Sequence, residues 1–139
     1  MDETLKMATR LHSLPLTASE CSDILKRGGL GRLAVSSGAL PAIYSAFFSV
    51  LDDHVVVRLS PTWALAKEAD RAVVAFNVDH AGEAEAWTVM VQGVAQLVSD
   101  PASVARLRSL PLPSWSEDPD DDVFLSVEPT KLTGARYSA

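Results

Sequence analysis

Apolar and polar positions change period along this chain, and the changes mark its elements. Cys21, Ile24 and Leu25 fall at i, i+3 and i+4, one face of a helix. That helix opens with Thr17-Ala-Ser-Glu20, a capping box, and stops at Gly28-Gly29, where glycine accepts the left-handed conformation. From Leu30 to Ser36 the period falls to two, with Leu33 and Val35 on one side and Arg32 on the other. A turn at Ser37-Gly38, a run from Ile43 to Leu51, a second turn at Asp52-Asp53 and the segment His54 to Leu59 predict an antiparallel meander. Ser60-Pro61-Thr62 breaks it, and Trp63 to Ala69 suits a short helix. Ala72 to Asp79 alternates again through Val74, Phe76 and Val78.

Trp87 to Val98 is the longest predicted strand, and Gly93 in its middle predicts a bend or bulge. Asp100-Pro101 reads as the cap and first residue of a helix running through Leu107, ended by Leu110-Pro-Leu-Pro113. A last strand spans Val123 to Val127, followed by a tail containing Gly134. Six strands with short helices and no strand–helix alternation predict a mainly β fold, a mostly antiparallel barrel. Residues 1–15 read as an N-terminal extension, loosely tethered before about residue 12, and residues 16–139 as one domain. At 139 residues the chain is long enough for one core without staples.

Composition narrows the function classes. A single cysteine excludes an internal disulfide framework and a Cys-based zinc cluster. His12, His54 and His80 have no metal-ligand spacing, so no metal site is expected. No apolar run reaches the length of a membrane span and the first residues lack a signal-peptide core, which makes a cytoplasmic protein with no membrane contact the expectation. Of the formal charge of −6, five negative charges come from Glu117, Asp118, Asp120, Asp121 and Asp122, so the remainder of the chain carries −1. With no basic stripe, nucleic-acid binding is not expected. The acidic run lacks the glycine and terminal glutamate of a calcium loop and reads as a solvated, mobile loop. No nucleophile elbow, phosphate-cradling glycine loop or zinc-protease helix occurs, and the catalytic residues stay unknown.

An ordered set of segments carries a family resemblance. It comprises Leu16–Cys21, Gly28-Gly-Leu-Gly-Arg-Leu-Ala-Val35, Val55-Val-Val-Arg58, Val73–Asp79, Ala86-Trp-Thr-Val-Met-Val-Gln-Gly93, Ala95–Pro101 and Val127-Glu-Pro-Thr-Lys-Leu-Thr-Gly134. Together they resemble the pyridoxamine 5'-phosphate oxidase-like, FMN-binding split β-barrel family, which includes nitroimidazole-resistance-like small flavoproteins. The resemblance implies a Greek-key split barrel with short flanking helices, and a homodimer with flavin mononucleotide in a groove at its interface. A deazaflavin is also compatible. It implies a flavin-dependent oxidoreductase acting on a small organic molecule.

By the same resemblance, the cofactor-binding candidates are Arg58, Leu59, Ser60, Trp63, Ala64 and Leu65 around the phosphate, with Ala46, Phe47 and Trp87 nearby. An Arg fork suits a phosphate, and backbone amides at a helix start add to it. Trp87 has a second reading, because its alternation with Val89 and Val91 also suits a core residue. Thr62, Ala64 and Ala135 depart from residues common in the family. They support the alternative of a small-ligand-binding or cofactor-independent barrel protein that has lost tight flavin binding.

Overall fold

The computed structural model describes residues 11–61 and 65–138. Seven strands run β1 (His12–Pro15), β2 (Gly29–Ser37), β3 (Leu40–Leu51), β4 (His54–Leu59), β5 (Val73–Ala81), β6 (Ala86–Leu97) and β7 (Val123–Ser138). Three helices join them: α1 (Ala18–Lys26), α2 (Leu65–Ala69) and α3 (Pro101–Arg108). A 3-10 turn at Pro119–Asp121 precedes β7. Strands pair in the order β7-β4-β3-β2-β5-β6 and β6 pairs back onto β7, closing a six-stranded antiparallel barrel. Closure removes the unpaired edges that an open sheet of these strands would expose.

The expected split-barrel class and its six strands are present, and two segments differ from the expectation. β7 does not stop at Val127 but continues to Ser138. Its start pairs with β4, and residues 125–137 pair with β6. Residues 128–136 bury little and so carry no clear alternation, yet the long β6 beside them needs a partner for its backbone groups. The second difference lies in the segment read as an extension: His12–Pro15 form β1 on the end of β7. Residues 1–10, expected to be loosely tethered, lie outside the described residues, as do Thr62 at the end of the expected break and Trp63 and Ala64 at the start of the expected second helix.

Local chemistry explains the helices. The Thr17 side chain accepts from the Glu20 amide at 3.1 Å, while the Glu20 carboxylate accepts from the Thr17 amide at 3.0 Å. Cys21, Ile24 and Leu25 are the buried face of α1, packed against the barrel core. Gly28 follows at φ +67°, a conformation strained for residues with a Cβ. Asp100 caps α3 by accepting from the Ser103 amide at 3.1 Å, with Pro101 at the first position.

Inside the barrel, Leu33, Phe48, Val57, Phe76, Val89, Val91, Leu125 and Val127 form the core, with Phe48 and Phe76 in edge contact at 4.8 Å. A second, smaller cluster lies outside it. Val56 of β4 and Phe124 of β7 point outward and are covered by Leu107 of α3 and by Leu110 and Leu112 after it. No helix among the described residues is long and apolar enough to cross a membrane.

Gly93 sits at the register shift where β6 meets β7 between Gln92 and Gly93. A Cβ there would stand 1.8 Å from the Glu128 carbonyl oxygen, which belongs to backbone and cannot swing aside. Gly93→Ala is therefore expected to destabilise the barrel by about 1–3 kcal/mol, the scale of overpacking. Urea denaturation checks this, and an unchanged midpoint would mean that the bulge does not depend on the missing side chain.

Candidate functional site

Alternation along β4 sends Val55, Val57 and Leu59 into the barrel and Val56 and Arg58 to its outer face. Arg58 pairs in register with Phe124, whose ring lies 5.6 Å from its guanidinium carbon. Across this face runs the segment from Leu110 to Asp122, and Arg58 holds it from beneath. Its Nε donates to Asp122 Oδ2 at 2.6 Å, Nη1 to the Leu112 carbonyl at 2.9 Å, and Nη2 to the Pro119 carbonyl at 3.0 Å. Asp122 also accepts from the Ser114 and Ser116 hydroxyls, and its backbone carbonyl accepts from Arg108 at 3.3 Å. The pair is removed from water: Arg58 is 8% exposed and Asp122 2%.

This corrects the reading of the acidic run. Glu117, Asp118, Asp120 and Asp121 are exposed, but Asp122 is an internal counter-ion and not part of a solvated loop. Burial raises the Asp122 pKa, but hydrogen bonds from Ser114, Ser116 and Arg58, with the Arg58 charge, outweigh it. The net effect holds the carboxyl below its ordinary value of 3.8.

The residues expected around a flavin divide between two sides of the barrel wall. Ala46 and Leu59 are fully buried inside it, and Trp87 is buried there with them. Trp87 packs against the His80 ring at 5.7 Å, with the Arg27 guanidinium 5.9 Å from its centre, and its indole Nε1 has no partner among the described residues. Of the two readings of Trp87, the structure supports core packing. Arg58 faces outward but is covered, with three donors committed inside the chain. In this arrangement it is not presented to a phosphate. Trp63 and Ala64 lie outside the described residues, and Leu65 opens α2.

Phe47 and Ser60 do reach open space. Phe47 stacks on Trp115 with ring centres 5.0 Å apart, and Trp115 is 55% exposed. The aromatic pair connects two clefts. Trp115 lines one of about 390 Å³, together with Ser60, Pro61, Ser116, Glu117, Asp118 and Asp121. Phe47 lines another of about 320 Å³, with Lys26, Arg27, Gly28 and Gly29 on one side and Leu110–Pro113 on the other. The first cleft is lined by three carboxylates; the second has Lys26 and Arg27 on its wall, the Arg27 guanidinium turned toward Trp87 and Glu85. The sequence reading missed Trp115 as a partner of Phe47 and Asp122 as a partner of Arg58, both contacts between segments more than sixty residues apart.

A separate polar chain crosses the outer face of β2, β5 and β6. Arg32 Nη2 donates to Asn77 Oδ1 at 3.0 Å and pairs with Asp79. Asn77 Nδ2 in turn donates to Thr88 Oγ1 at 3.0 Å and to the Val89 carbonyl at 3.1 Å. These side chains fix one another across three strands and surround no described cleft. Among the described residues, no cluster of three or more His, Cys, Asp or Glu side chains is arranged to hold a metal ion.

Removing one partner of a buried ion pair leaves the other charge uncompensated. Arg58→Ala is expected to cost about 3–5 kcal/mol of stability, measured by denaturation. Because the folded-state Asp122 pKa is depressed, the pair's contribution is complete above about pH 4 and is lost as pH falls through the folded value. Thermal melts should thus fall steeply below pH 4 in wild type and less steeply in Asp122→Asn, which starts lower at neutral pH. Parallel curves for the two proteins would remove Asp122 from the acid response.

A profile of the pyridoxamine 5'-phosphate oxidase family matches residues 17–136. The uncharacterized protein Rv0080 of Mycobacterium tuberculosis is 34% identical over 131 residues, covering 89% of this chain and 85% of that one. Among solved structures, an FAD binding protein from Mycobacterium smegmatis is 31% identical and superposes with a TM-score of 0.73, covering 88% of this chain and 98% of its own. An FAD-binding protein from Mesorhizobium loti shares the fold at 21% identity, with a TM-score of 0.76 over 94% of this chain and all of its own. Matched by the profile over most of its length and more than 30% identical to two near-full-length relatives, the chain belongs to the pyridoxamine 5'-phosphate oxidase family.

Proposed function

We propose that this protein binds a flavin and acts as a flavin-dependent oxidoreductase on a small organic molecule. The observation that carries the reading is the near-full-length likeness to the Mycobacterium smegmatis FAD binding protein. The donor set agrees with it. A flavin presents a flat ring system and an anionic phosphate end. This surface offers the Phe47–Trp115 pair, with Pro111, Pro113 and Lys26 along one cleft. Aromatic faces suit a ring system, and cationic side chains suit a phosphate ester.

When bound, the flavin supplies the redox chemistry, and the protein contributes binding, orientation and electrostatics. Phe47 and Trp115 would hold the ring, Ser60 would add a polar contact at the far end of the aromatic pair, and the Leu110–Pro113 wall would shield the apolar edge from water. Arg58 enters as a positioning residue, through the segment that carries Trp115. FMN, FAD and a deazaflavin all share the ring system on which this reading rests.

We also propose that the protein works as a homodimer. One end of the outward face of β3, β2, β5 and β6 bears apolar side chains in open solvent, with Ile43 69% and Val73 73% exposed and Val94 paired with Val73. A patch of this kind on a two-fold axis buries itself against its own copy.

A second reading, a barrel that binds a small ligand without flavin, draws on the commitment of Arg58 to Asp122 and on the acidic wall beside Ser60. Absorption spectra and fluorescence titrations with FMN and with FAD decide between them. Saturable binding at or below tens of micromolar, about −6 kcal/mol or tighter, is expected for a flavoprotein. No titratable binding of either would leave the ligand-binding reading in its place. Light scattering should give twice the chain mass for wild type and a smaller mass for Ile43→Glu, whereas a monomeric wild type would sink the dimer.

A further inference from the structure

We propose that Ser114, Ser116 and Asp122 form a clasp that presents the Trp115 indole to the flavin ring, in the cleft beside Ser60. The inference rests on the flavin-binding reading and concerns what fixes the ring within that site. Ser114, Ser116 and Asp122 are positioning residues that act through Trp115.

An indole left largely in water buries little for the fold, yet this one is pinned on both flanks. Trp115 is 55% exposed, and its segment has no regular structure between Pro111 and Ser116. Its two chain neighbours nevertheless turn their hydroxyls onto one buried carboxylate, Ser114 donating to Asp122 Oδ2 and Ser116 to Oδ1. The Ser116 amide donates in turn to Ser114 Oγ at 3.0 Å. Asp122 is itself anchored, because Arg58 donates to it at 2.6 Å and also to the Leu112 and Pro119 carbonyls. Pro113 and Pro119 stiffen the chain before and after the clasp, each with its φ fixed by the ring. With the backbone set on both sides, the indole keeps only its two side-chain torsions, and contact with Phe47 restricts those. Ordering a side chain in advance lowers the entropic cost of binding a ligand against it.

The contact with Phe47 also settles which face of the indole is on offer. The two ring centres are 5.0 Å apart and the planes are tilted by 34°. A flat ring between them would need about 7 Å, two van der Waals spacings. The flavin ring therefore lies on the open face of the indole, with Phe47 backing it from the other side. Trp115 lines the cleft of about 390 Å³ with Ser60 and Pro61, the residues that follow β4, and this cleft receives the ring. The clasp touches neither the ligand nor its phosphate; it sets the direction of one aromatic plane.

Flavin titrations test this, read by affinity and by the red shift that stacking on an indole gives the flavin's visible band. Ser114→Ala and Ser116→Ala, made singly and together, leave the Arg58–Asp122 pair in place. Together they should weaken binding of FMN or FAD about 3- to 10-fold and abolish the red shift, each single change giving part of the loss. Trp115→Ala should lose about 5- to 150-fold, the scale of a ring stacked on an aromatic side chain. Gly93→Ala, destabilised at the β6–β7 bulge, should keep the wild-type affinity and band, which separates positioning from stability. Three results overturn the assignment while flavin binding stands: serine variants with wild-type affinity, a Gly93→Ala protein weakened as much as they are, or a Trp115→Ala protein that binds flavin normally. A wild type that binds neither FMN nor FAD takes down the flavin reading together with this one.

Discussion

The buried ion pair between Arg58 and Asp122 is the interaction on which the outer half of this structure depends. Two charges that leave water must be satisfied almost completely, and here they are: the carboxylate takes two hydroxyls besides its arginine, and the guanidinium takes two carbonyls besides its aspartate. Such a pair adds little to net stability when compared with apolar residues of the same volume. Its effect is to weigh against alternatives. A path for residues 110–122 that carried Asp122 away would leave Arg58 without its counter-ion, which disfavours it. The observed path puts Trp115 on Phe47, between the two clefts.

Barrel closure sets the frame on which this happens. β7 runs sixteen residues, long enough to pair with β4 at its start, with β6 along most of its length and with β1 at its end. A straight strand cannot serve neighbours that diverge around a barrel. The bulge at Gly93 changes the register between β6 and β7 and lets the wall turn. The same closure sends alternate residues of β4 outward, which is why an arginine one residue from a buried leucine can emerge beneath the 110–122 segment.

Much of the fold was legible because its signals are local. A capping box needs residues three apart, a strand needs alternation over a few positions, and a bulge shows itself as a glycine inside an apolar run. α1, β2, β4, β5, β6 and Gly93 all follow from such patterns. The end of β7 and the whole of β1 were not legible in this way, because residues 128–138 are held by backbone pairing and bury few side chains. The site was harder still. Five acidic residues within six positions look alike in sequence, and four of them do face water; only the three-dimensional path makes Asp122 the partner of an arginine sixty-four residues earlier. Ser114 and Ser116 signalled nothing on their own, since a serine near an aspartate is common in any loop. Phe47, Ser60 and Arg58 were named through family likeness, but such likeness gives a position along a strand and not the direction in which the guanidinium of Arg58 turns.

That direction separates family membership from the details of a binding site. An arginine near the end of a barrel strand can reach a ligand only while no internal acid competes for it. Asp122 competes at 2.6 Å, in a site nearly closed to solvent, with geometry no mobile phosphate could match without first desolvating itself. In this structure the Arg58 side chain is committed to the 110–122 segment, within a fold shared with its relatives. With that cation withdrawn, the electrostatics of the surface are decided by side chains on other elements. A family shared at the level of strands and register leaves such a choice open, because exchanging the residue that holds an anion alters neither the barrel's closure nor its core.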